Sequence, residues 1–439
     1  MHSSKQHTMG SNSDWRRDLA RLCACSSRAK GRRARLAAAI ALAYAAAAPA
    51  ATIFVDSSAS TSAAGKCSLF DAVTSLNTSS TASGSTCTAG DGDNDTIDLN
   101  GFTAPTTIDF TQSSGTDPDS ALVISKPVSI VGSLAGNQQP LVTIQRDPAT
   151  VAAFRLIHTT ADLTLHGLAL TNGSDKGTLG GGAILGTNNA TIALVNSVIT
   201  GNQTSLQGGA IYDAGGPSTV TLTDSAISGN IASGYGGGIA GDFVYSTRST
   251  ISGNYSISGA SGVYATSKFG CTNSTISNNT VPPSARDGAI LAFAATLEFC
   301  TIAANTLGGI EILNASTATA TIIHGNTSSG GIDVSHLASV TVALSGNNNL
   351  IGSHSGTVTI PPDTTSCDPN LIALSDDGGP TQTQALPVGS CAVNAGPATA
   401  PTITTDQRGV GYVRLEGSAT DIGAFELQPD HIFANGFDP

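Results

Sequence analysis

The sequence predicts an all-β protein, a single-stranded right-handed parallel β-helix of about nine or ten coils that is capped at both ends. Three observations predict this fold. Only 11% of the 439 residues are charged and 50 are glycine, yet 40% are hydrophobic, so the chain can bury a core but favours short strands and turns over helices. Two short phrases recur alternately through the middle of the chain. Between these phrases, apolar and polar residues alternate as they do in β-strands.

The first recurrent phrase, of the form Ile-x-Gly-Asn, ends in an asparagine. Its copies are 21 to 30 residues apart, which predicts one copy per coil. Asparagine tolerates the left-handed conformation of a sharp turn, and stacked asparagine side chains can hydrogen-bond between coils. We interpret the column as a structural ladder rather than a row of ligand-binding amides. The predicted ladder consists of Asn172, Asn202, Asn230, Asn254, Asn279, Asn305, Asn326 and Asn347.

The second phrase, GGAI at 181–184 and 208–211 and GGGI at 236–239, marks another corner of each coil. Within a repeat, Val220 and Leu222 occupy even-numbered positions between polar residues. The next inward pair, Ser225 and Ile227, occupies odd-numbered positions, so the alternation shifts by one residue. A bend between Leu222 and Ser225 therefore lets both pairs face one interior. Each coil then contains two or three short strands that pair with the next coil.

The first 50 residues have the layout of a secretory signal peptide. A basic stretch from Arg28 to Arg35 precedes the apolar run 36–48, and Ala48-Pro49-Ala50 provides a cleavage site. The alternative is a short membrane anchor, but the run is shorter than the roughly 20 residues that span a bilayer. We therefore predict no transmembrane span and a protein that is secreted or displayed at the cell surface.

The charge of the remaining chain excludes some partners. Residues 51–439 contain 10 basic and 29 acidic side chains, a net charge of −19. Nucleic acids and anionic membrane surfaces both attract basic proteins, so neither is a predicted partner. A glycan or a surface protein remains as a candidate partner, and we expect a monomer.

Both ends of the region 51–439 resemble a known family of proteins. CSLFDAVTSLN (67–77) resembles the CSLREA motif, with Cys67, Ser68, Leu69, Ala72 and Asn77 matching and Phe-Asp in place of Arg-Glu. The segments 368–396, 405–409 and 421–426 resemble a choice-of-anchor Q domain, and the repeats are similar to those of polymorphic outer-membrane proteins. The resemblance implies an exported right-handed β-helix, at the outer membrane or outside the cell. It implies no catalytic residues.

These observations divide the chain into five parts. We predict the signal peptide at 1–50, an amino-terminal cap with the CSLREA-like motif at 51–110, and the coils at 111–360. A choice-of-anchor-like cap follows at 361–426, and a short tail at 427–439.

Six cysteines in an exported chain predict disulfides, and their spacing does not suggest zinc. We expect Cys67–Cys87 and Cys367–Cys391 to close the caps, whereas the pairing of Cys271 with Cys300 on adjacent coils stays open.

Two acidic clusters have both a structural and a functional interpretation. Asp91, Asp93 and Asp95 have the alternating spacing of a calcium loop, but an Asp-rich turn before a strand is the commoner case. Calcium is therefore possible, and no other cofactor is expected. The second cluster lies in the carboxyl-terminal cap, where we expect an ion network that stabilises the cap rather than a ligand site. It comprises Asp406, Arg408, Arg414, Asp421 and Glu426.

Tyrosines concentrate in the middle coils beside two acids. Tyr212, Tyr235, Tyr245 and Tyr264 are candidate ligand-binding residues on one face of the rod. Asp213 and Asp242 follow the glycine phrases of neighbouring coils, and a pair of carboxylates there could act as acid and base on a polysaccharide. The alternative is a solvated face on which these residues cluster by chance.

The sequence favours a non-enzymatic surface rod that acts in adhesion or another surface interaction. The signatures Asn-Thr-Asp and Gly-His-Gly of pectin-type glycosidases on this fold are missing. The alternative is a polysaccharide lyase or glycoside hydrolase that uses the region of Asp213 and Asp242.

Overall fold

The computed structural model describes residues 50–92, 94–175, 177, 179–326, 328–399 and 402–428. Residues 1–49 of the predicted signal peptide, Asp93 and residues 429–439 of the predicted tail lie outside this range. The described residues belong to one compact unit that begins at Ala50. In this part of the chain, no helix is both long and apolar enough to cross a membrane.

Every strand pair described between these elements is parallel, and the pairs stack coil upon coil, which confirms the predicted parallel β-helix. The strands form three sheets. The longest sheet contains 18 strands: β1 Thr52–Phe54, β2 Asp95–Leu99, β4 Ser120–Ile124, β5 Val128–Gly132, β7 Arg155–Thr159, β8 Leu163–His166, β11 Ile184–Gly186, β12 Thr191–Val195, β15 Ile211–Asp213, β16 Thr219–Thr223, β19 Ile239–Thr247, β22 Val263–Thr272, β24 Ile290–Glu298, β26 Thr306–Ile312, β27 Ser316–Thr319, β29 Ser328–Ser335, β30 Val342–Asn347 and β32 Val358–Thr359.

The second sheet contains ten strands: β3 Thr106–Phe110, β6 Val142–Arg146, β9 Leu168–Thr171, β13 Val198–Thr200, β17 Ala226–Ser228, β20 Thr250–Ser252, β23 Thr275–Ser277, β25 Thr301–Ala303, β28 Ile322–His324 and β31 Leu350–Ile351. The third contains four: β10 Ser174–Asp175, β14 Gln203–Thr204, β18 Ile231–Ala232 and β21 Tyr255–Ser256.

The 18-stranded sheet contains two stacks of strands that join in the middle of the rod. One stack runs through β7, β11 and β15, and the other through β8, β12 and β16. Both continue in the long strand β19, which pairs with β15 and with β16. Each coil therefore contributes two segments to this sheet and a third segment to the ten-stranded sheet.

Identical buried residues stack inside the coils. In the ten-stranded sheet, Ile199, Ile227, Ile251 and Ile276 pair in register and are fully buried. The bend that precedes this sheet is made by left-handed residues, such as Asp224 with a φ of 50°. The left-handed backbone of Asp224 therefore makes the bend that the sequence predicts between Leu222 and Ser225.

Six of the eight predicted asparagines form one continuous hydrogen-bonded ladder. In each step the side-chain amide and the backbone N–H of one asparagine donate to Oδ1 of the next, as from Asn230 to Asn254 at 3.0 Å. The same amide also donates to a carbonyl of the preceding coil. The ladder ends on a carboxylate, because Asn326 donates to Oδ1 of Asp333. Its asparagines are Asn202, Asn230, Asn254, Asn279, Asn305 and Asn326.

The predicted ladder is wrong at two positions, Asn172 and Asn347. Asn172 precedes the ladder position, which Gly173 occupies by donating its N–H to Asn202. Asn347 is exposed and ends β30. The reason given for the column also changes, because the left-handed residue is the one before each ladder asparagine. Gly229, with a φ of 62°, stands before Asn230.

The amino-terminal segment contributes strands as well as a cap. Its helix α1, Leu69–Thr78, begins after Ser68, whose hydroxyl accepts from the N–H of Asp71. The side chain of Asn77 donates to the carbonyl of Val123, which attaches the helix to β4. Because β2 and β3 already pair with later strands, stacking begins before the predicted boundary at residue 111.

The carboxyl-terminal segment (residues 368–427) lies along the ten-stranded sheet instead of only covering the last coil. Gln407 connects two coils, since it donates to Thr250 Oγ1 at 2.9 Å and accepts from Thr275 Oγ1 at 2.6 Å. The N–H of Ala424 donates to Thr301 on the next strand. The expectation of a cap over the last open edge is therefore incomplete, because the segment also covers the outer face of this sheet.

The charged residues of this segment are buried and joined to each other. The Arg408 guanidinium lies 2.6 Å from the Asp406 carboxylate and stacks between two aromatic rings. Arg414 is fully buried over the ring of Phe299, and its guanidinium lies 3.7 Å from Glu426. This arrangement holds the segment together and leaves these side chains inaccessible to a ligand.

The residues that the structure describes contain three disulfides. Cys67–Cys87 encloses α1, and Cys367–Cys391 lies at the start of the carboxyl-terminal segment. Cys271 is paired with Cys300 on the next coil, with 6.3 Å between their Cα atoms. This pairing, which the sequence left open, crosses the bend between the two large sheets.

Candidate functional site

An outward-facing column of side chains runs along the 18-stranded sheet, and we call it the tyrosine stripe. Its members occupy equivalent positions on successive strands from β15 to β26. The residues that precede them, such as Ile211, Ile239 and Ile310, are buried in the core. Neighbouring strands are about 4.8 Å apart, so a ligand that follows the rod could contact several members at once. The stripe consists of Tyr212, Ala240, Tyr264, Leu291 and Glu311.

A third tyrosine adds to the aromatic surface. The ring of Tyr235, from the corner before β19, lies 5.1 Å from the ring of Tyr264, centroid to centroid. Both rings are partly accessible. Burial and the neighbouring groups Tyr235, Tyr212 and Asp287 raise the pKa of Tyr264. The structure therefore brings together three of the four predicted tyrosines.

Tyr245 does not belong to this group. It lies on the other half of β19, in register with Thr221 and Gly270, and its ring packs over Gly270. The register of β19 against β22 shifts between Gly241 and Phe243. The expectation that all four tyrosines share one site is therefore wrong for Tyr245, because the shift separates the two halves of the strand.

Asp213 is not on the open face that the sequence suggested. Its side chain points into the coil beside Gly186 and Gly241, and only 4% of the residue is exposed. Neither carboxylate oxygen has a hydrogen-bond partner among the described residues. Burial raises the pKa of Asp213 to about 6, and the nearby Asp242 carboxylate acts in the same direction, against the opposing effect of the Ser218 hydroxyl.

Asp242 has a more open environment at the edge of the stripe. It is half-buried on β19, and it accepts a hydrogen bond from the hydroxyl of Thr266 on the next coil. Burial, followed by the charges of Asp242 and Asp213, raises the pKa of Tyr212. Asp213 and Asp242 thus interact electrostatically, but one is internal and the other external.

Two further acids at the stripe were missed in the sequence. Glu311 ends the stripe, and its carboxyl group is close enough to that of Asp287 for the two to interact. Both residues are at least nine-tenths buried. Burial and the Asp287 carboxylate raise the pKa of Glu311 to about 8, so the pair holds a proton at neutral pH. A signal was present, because Asp287 replaces the first glycine of the second recurrent phrase.

A second polar cluster, also missed in the sequence, lies on earlier coils. His158 on β7 contacts Asp117 through Nδ1 at 3.0 Å and Thr187 through Nε2 at 3.1 Å. Arg155 on the same strand pairs with Asp175 at 2.5 Å. An adjacent cavity of about 300 Å³ is lined by this cluster. His158 aligns with Leu185 and Tyr212, so the cluster lies in the same outward column as the stripe.

The calcium interpretation finds little support in the geometry. Asp95 is fully buried, and its carboxylate accepts from the backbone N–H groups of Ala51 and Gly92. Asp91 is exposed, and Asp93 lies outside the described residues. Among the residues described, no group of three His, Cys, Asp or Glu side chains could hold a metal ion. Asp95 instead fixes the turn before β2.

Comparisons with known proteins give a structural similarity and no relative in sequence. No family model and no curated protein matches the sequence. Among solved structures, the chain is similar to a pectate lyase, Pel9A, with 14% identity and a TM-score of 0.45. The alignment covers 86% of this chain and 96% of that one. At this level of identity the activity of that protein does not carry over to this chain.

Proposed function

We propose that this protein is an exported β-helical rod that binds an extended glycan along the tyrosine stripe and acts in surface interaction without cleaving it. The neighbouring rings of Tyr235 and Tyr264, with Tyr212 beside them, are the observation that supports binding. Tyrosine offers an apolar face and a polar hydroxyl, which suits a sugar ring that has both. The stacked coils repeat these positions along the direction in which a polymer would lie.

Two features support an extracellular location. Three disulfides stabilise the described part of the chain, and such bonds persist in oxidising compartments. The leader has the layout of a signal peptide, and the ends of the mature region resemble the CSLREA and choice-of-anchor Q families of exported proteins.

A second candidate function is polysaccharide cleavage, which the carboxyl pair Asp287–Glu311 favours. The pKa of Glu311 is raised to about 8, so this group could donate a proton at neutral pH. However, only 4% of Glu311 is exposed, and a substrate could reach it only if the neighbouring corners opened. Binding is therefore the better supported function.

To test this proposal, the affinity for glycans is measured for residues 51–439 and for two tyrosine variants of the same chain. We expect Tyr235→Ala with Tyr264→Ala to weaken binding about tenfold, from the loss of two aromatic contacts. Tyr245→Ala removes the same side chain outside the stripe and should change affinity less than twofold. Failure to bind any glycan, or equal losses in both variants, would overturn the proposal.

The same preparations test cleavage. New reducing ends or unsaturated products that appear with the unchanged protein and vanish with Glu311→Gln would replace the binding function with an enzymatic one. A lack of products, with glycan binding intact, is the result that we expect.

A further inference from the structure

The imidazole ring of His158 connects a hydroxyl group to a carboxylate on the outer side of the coils. Its Nδ1 atom lies 3.0 Å from Asp117 Oδ2, and its Nε2 atom lies 3.1 Å from Thr187 Oγ1. With the proton on Nδ1, the ring donates to Asp117 and accepts from the Thr187 hydroxyl. A hydroxyl, a base within hydrogen-bond reach and a third group that orients the base are the parts of a nucleophilic catalyst.

The Asp117 carboxylate is fixed in place beside the ring. It accepts from the Ser120 hydroxyl at 2.7 Å and from the N–H of Asp119 at 2.9 Å. Burial acts to raise the pKa of Asp117, but these hydrogen bonds and the contact with His158 outweigh it and lower the pKa. The group is therefore ionised at neutral pH, and an ionised carboxylate at Nδ1 favours the tautomer in which Nε2 is the base.

The hydroxyl and the ring are within reach of a ligand. The side chain of His158 is 20% exposed, and Thr187 is half-buried at the surface. The ring also borders a cavity of about 300 Å³, whose apolar part is formed by Pro118, Leu179 and Leu185. This cavity has room for a small acyl group next to the imidazole.

Two backbone donors follow the Thr187 hydroxyl directly in the chain. Asn188 and Asn189 have positive φ values of 66° and 61°, and the N–H of Ala190 closes the turn on the carbonyl of Thr187. Among the described residues, the N–H groups of Asn188 and Asn189 have no acceptor, and both residues are exposed. Free backbone N–H groups beside a nucleophile can stabilise the oxyanion that forms during acyl transfer.

We propose that Thr187, His158 and Asp117 form a second site that hydrolyses small acyl esters, and that these esters are O-acyl substituents of a glycan. His158 lies in the same outward column as Tyr212, two strands away and therefore about 10 Å along the rod. A glycan on the tyrosine stripe would present its substituents to this site, and removal of an acyl group leaves the glycan chain intact. Only the glycan part of the inference rests on the proposed function.

The reaction has two halves, and water is the only co-reactant. In the first, Thr187 Oγ1 bonds to the ester carbonyl carbon as its proton passes to Nε2 of His158. The bond from that carbon to the alcohol oxygen breaks, and the leaving alcohol takes the proton from Nε2. In the second, water bonds to the acyl carbon and gives a proton to Nε2, and the carboxylic acid leaves as that proton returns to Oγ1.

The site is tested at neutral pH with p-nitrophenyl acetate and residues 51–439. We expect nitrophenol release above the rate in buffer, and an acetyl group on the Thr187 peptide by mass spectrometry after rapid acid quenching. Thr187→Val keeps the shape of the side chain and should abolish both signals. Thr187→Ser restores a hydroxyl and should restore both, whereas His158→Gln should slow hydrolysis by about 100-fold or more.

Thr160→Val is the matched control. Thr160 occupies the place on the preceding coil that corresponds to Thr187, but its hydroxyl donates to the carbonyl of Ile124 and not to the imidazole. Its replacement should leave the rate of hydrolysis unchanged. Thermal unfolding checks that all variants fold, and the acetyl adduct separates catalysis from a structural role, because a hydroxyl that only stabilises the coils takes up no acyl group.

A second substrate tests the glycan assignment. We expect the unchanged protein to release acetate from a panel of O-acetylated polysaccharides that includes acetylated xylan. Release should be slower with the combined Tyr235→Ala and Tyr264→Ala variant, which should hydrolyse p-nitrophenyl acetate at the unchanged rate.

The outcomes separate the inference from the function proposed for the stripe. Glycan binding without ester hydrolysis, or hydrolysis that persists in Thr187→Val, would overturn the second site and leave the proposed function in place. Hydrolysis of p-nitrophenyl acetate that depends on Thr187, without acetate release from any polysaccharide, would overturn the glycan assignment alone. No glycan binding and no hydrolysis would overturn both.

Discussion

Asparagine at one corner of each coil satisfies backbone groups on two neighbouring coils. Asn254 accepts from the backbone and side chain of Asn230 and donates its amide to the carbonyl of Ile227 and to Asn279. The residue is fully buried, so these groups have no access to solvent. Each ladder asparagine therefore determines the stability of its own coil and of the two beside it.

Removal of one ladder asparagine should be strongly destabilising. Asn254→Ala removes the acceptor of the buried backbone N–H and side-chain amide of Asn230, and it removes a donor to the carbonyl of Ile227. We expect a loss of about 3 kcal/mol or more. Asn347→Ala provides the matched control. Because Asn347 is exposed and outside the ladder, its replacement should change stability by about 0.5 kcal/mol or less. Denaturant unfolding measures both, and similar losses in the two variants would refute the ladder.

At the scale of elements, the carboxyl-terminal segment acts on the strands that it crosses. It contacts strands from three successive coils through Gln407 and Ala424. The residues of β20 and β23 are buried on both faces as a result. The short strands of the ten-stranded sheet are therefore stabilised by contacts on their outer face as well as by packing in the core.

We expect the Gln407 amide to hold this segment on the sheet. Gln407→Ala removes hydrogen bonds to Thr250, Thr275 and Thr381, and it should accelerate proteolysis within residues 368–427 by at least about tenfold. Val410→Ala lies in the same segment, but Val410 is 98% exposed, and its replacement should have no effect. Equal cleavage rates for the unchanged protein and Gln407→Ala would show that other contacts suffice.

At the scale of the whole molecule, buried carboxyl groups determine how stability depends on pH. Burial raises the pKa of Asp213 to about 6 and, together with neighbouring acids, the pKa of Glu311 and of Glu426 to about 8. A raised pKa means that the folded state holds the proton more tightly than the unfolded state. Stability is therefore greatest below the unfolded pKa and falls as pH rises through the folded pKa.

Thermal unfolding should show this dependence. We expect the Tm to fall as pH rises from about 4 to 9, with Asp213 accounting for about 3 kcal/mol of the loss between about pH 4 and 6. Asp213→Asn should flatten the curve in that interval, and Glu311→Gln should flatten it between about pH 5 and 8. A Tm that rises with pH over this range in the unchanged protein would contradict the assignment.

For the outward-facing residues, the sequence predicted some neighbours correctly and others not. Tyr212 and Tyr264 could be placed on one face because both follow the same recurrent phrase. Tyr245 could not be separated from them, because the shift in register within β19 leaves no sign in the repeat pattern. Asp287 and Glu311 are 24 positions apart and adjacent only because coils of unequal length stack in one register.

The sequence by itself determined the β-helix and its inward columns, because burial requires the same apolar or small residue at the same corner of every coil. Ile227, Ser225 and Asn230 could thus be placed from their spacing alone. Only the tertiary structure decided the path of residues 368–427 and the partners of Asp213, Asp287 and Glu311. These depend on contacts between coils and on local desolvation, and neither has a periodic signal in the chain.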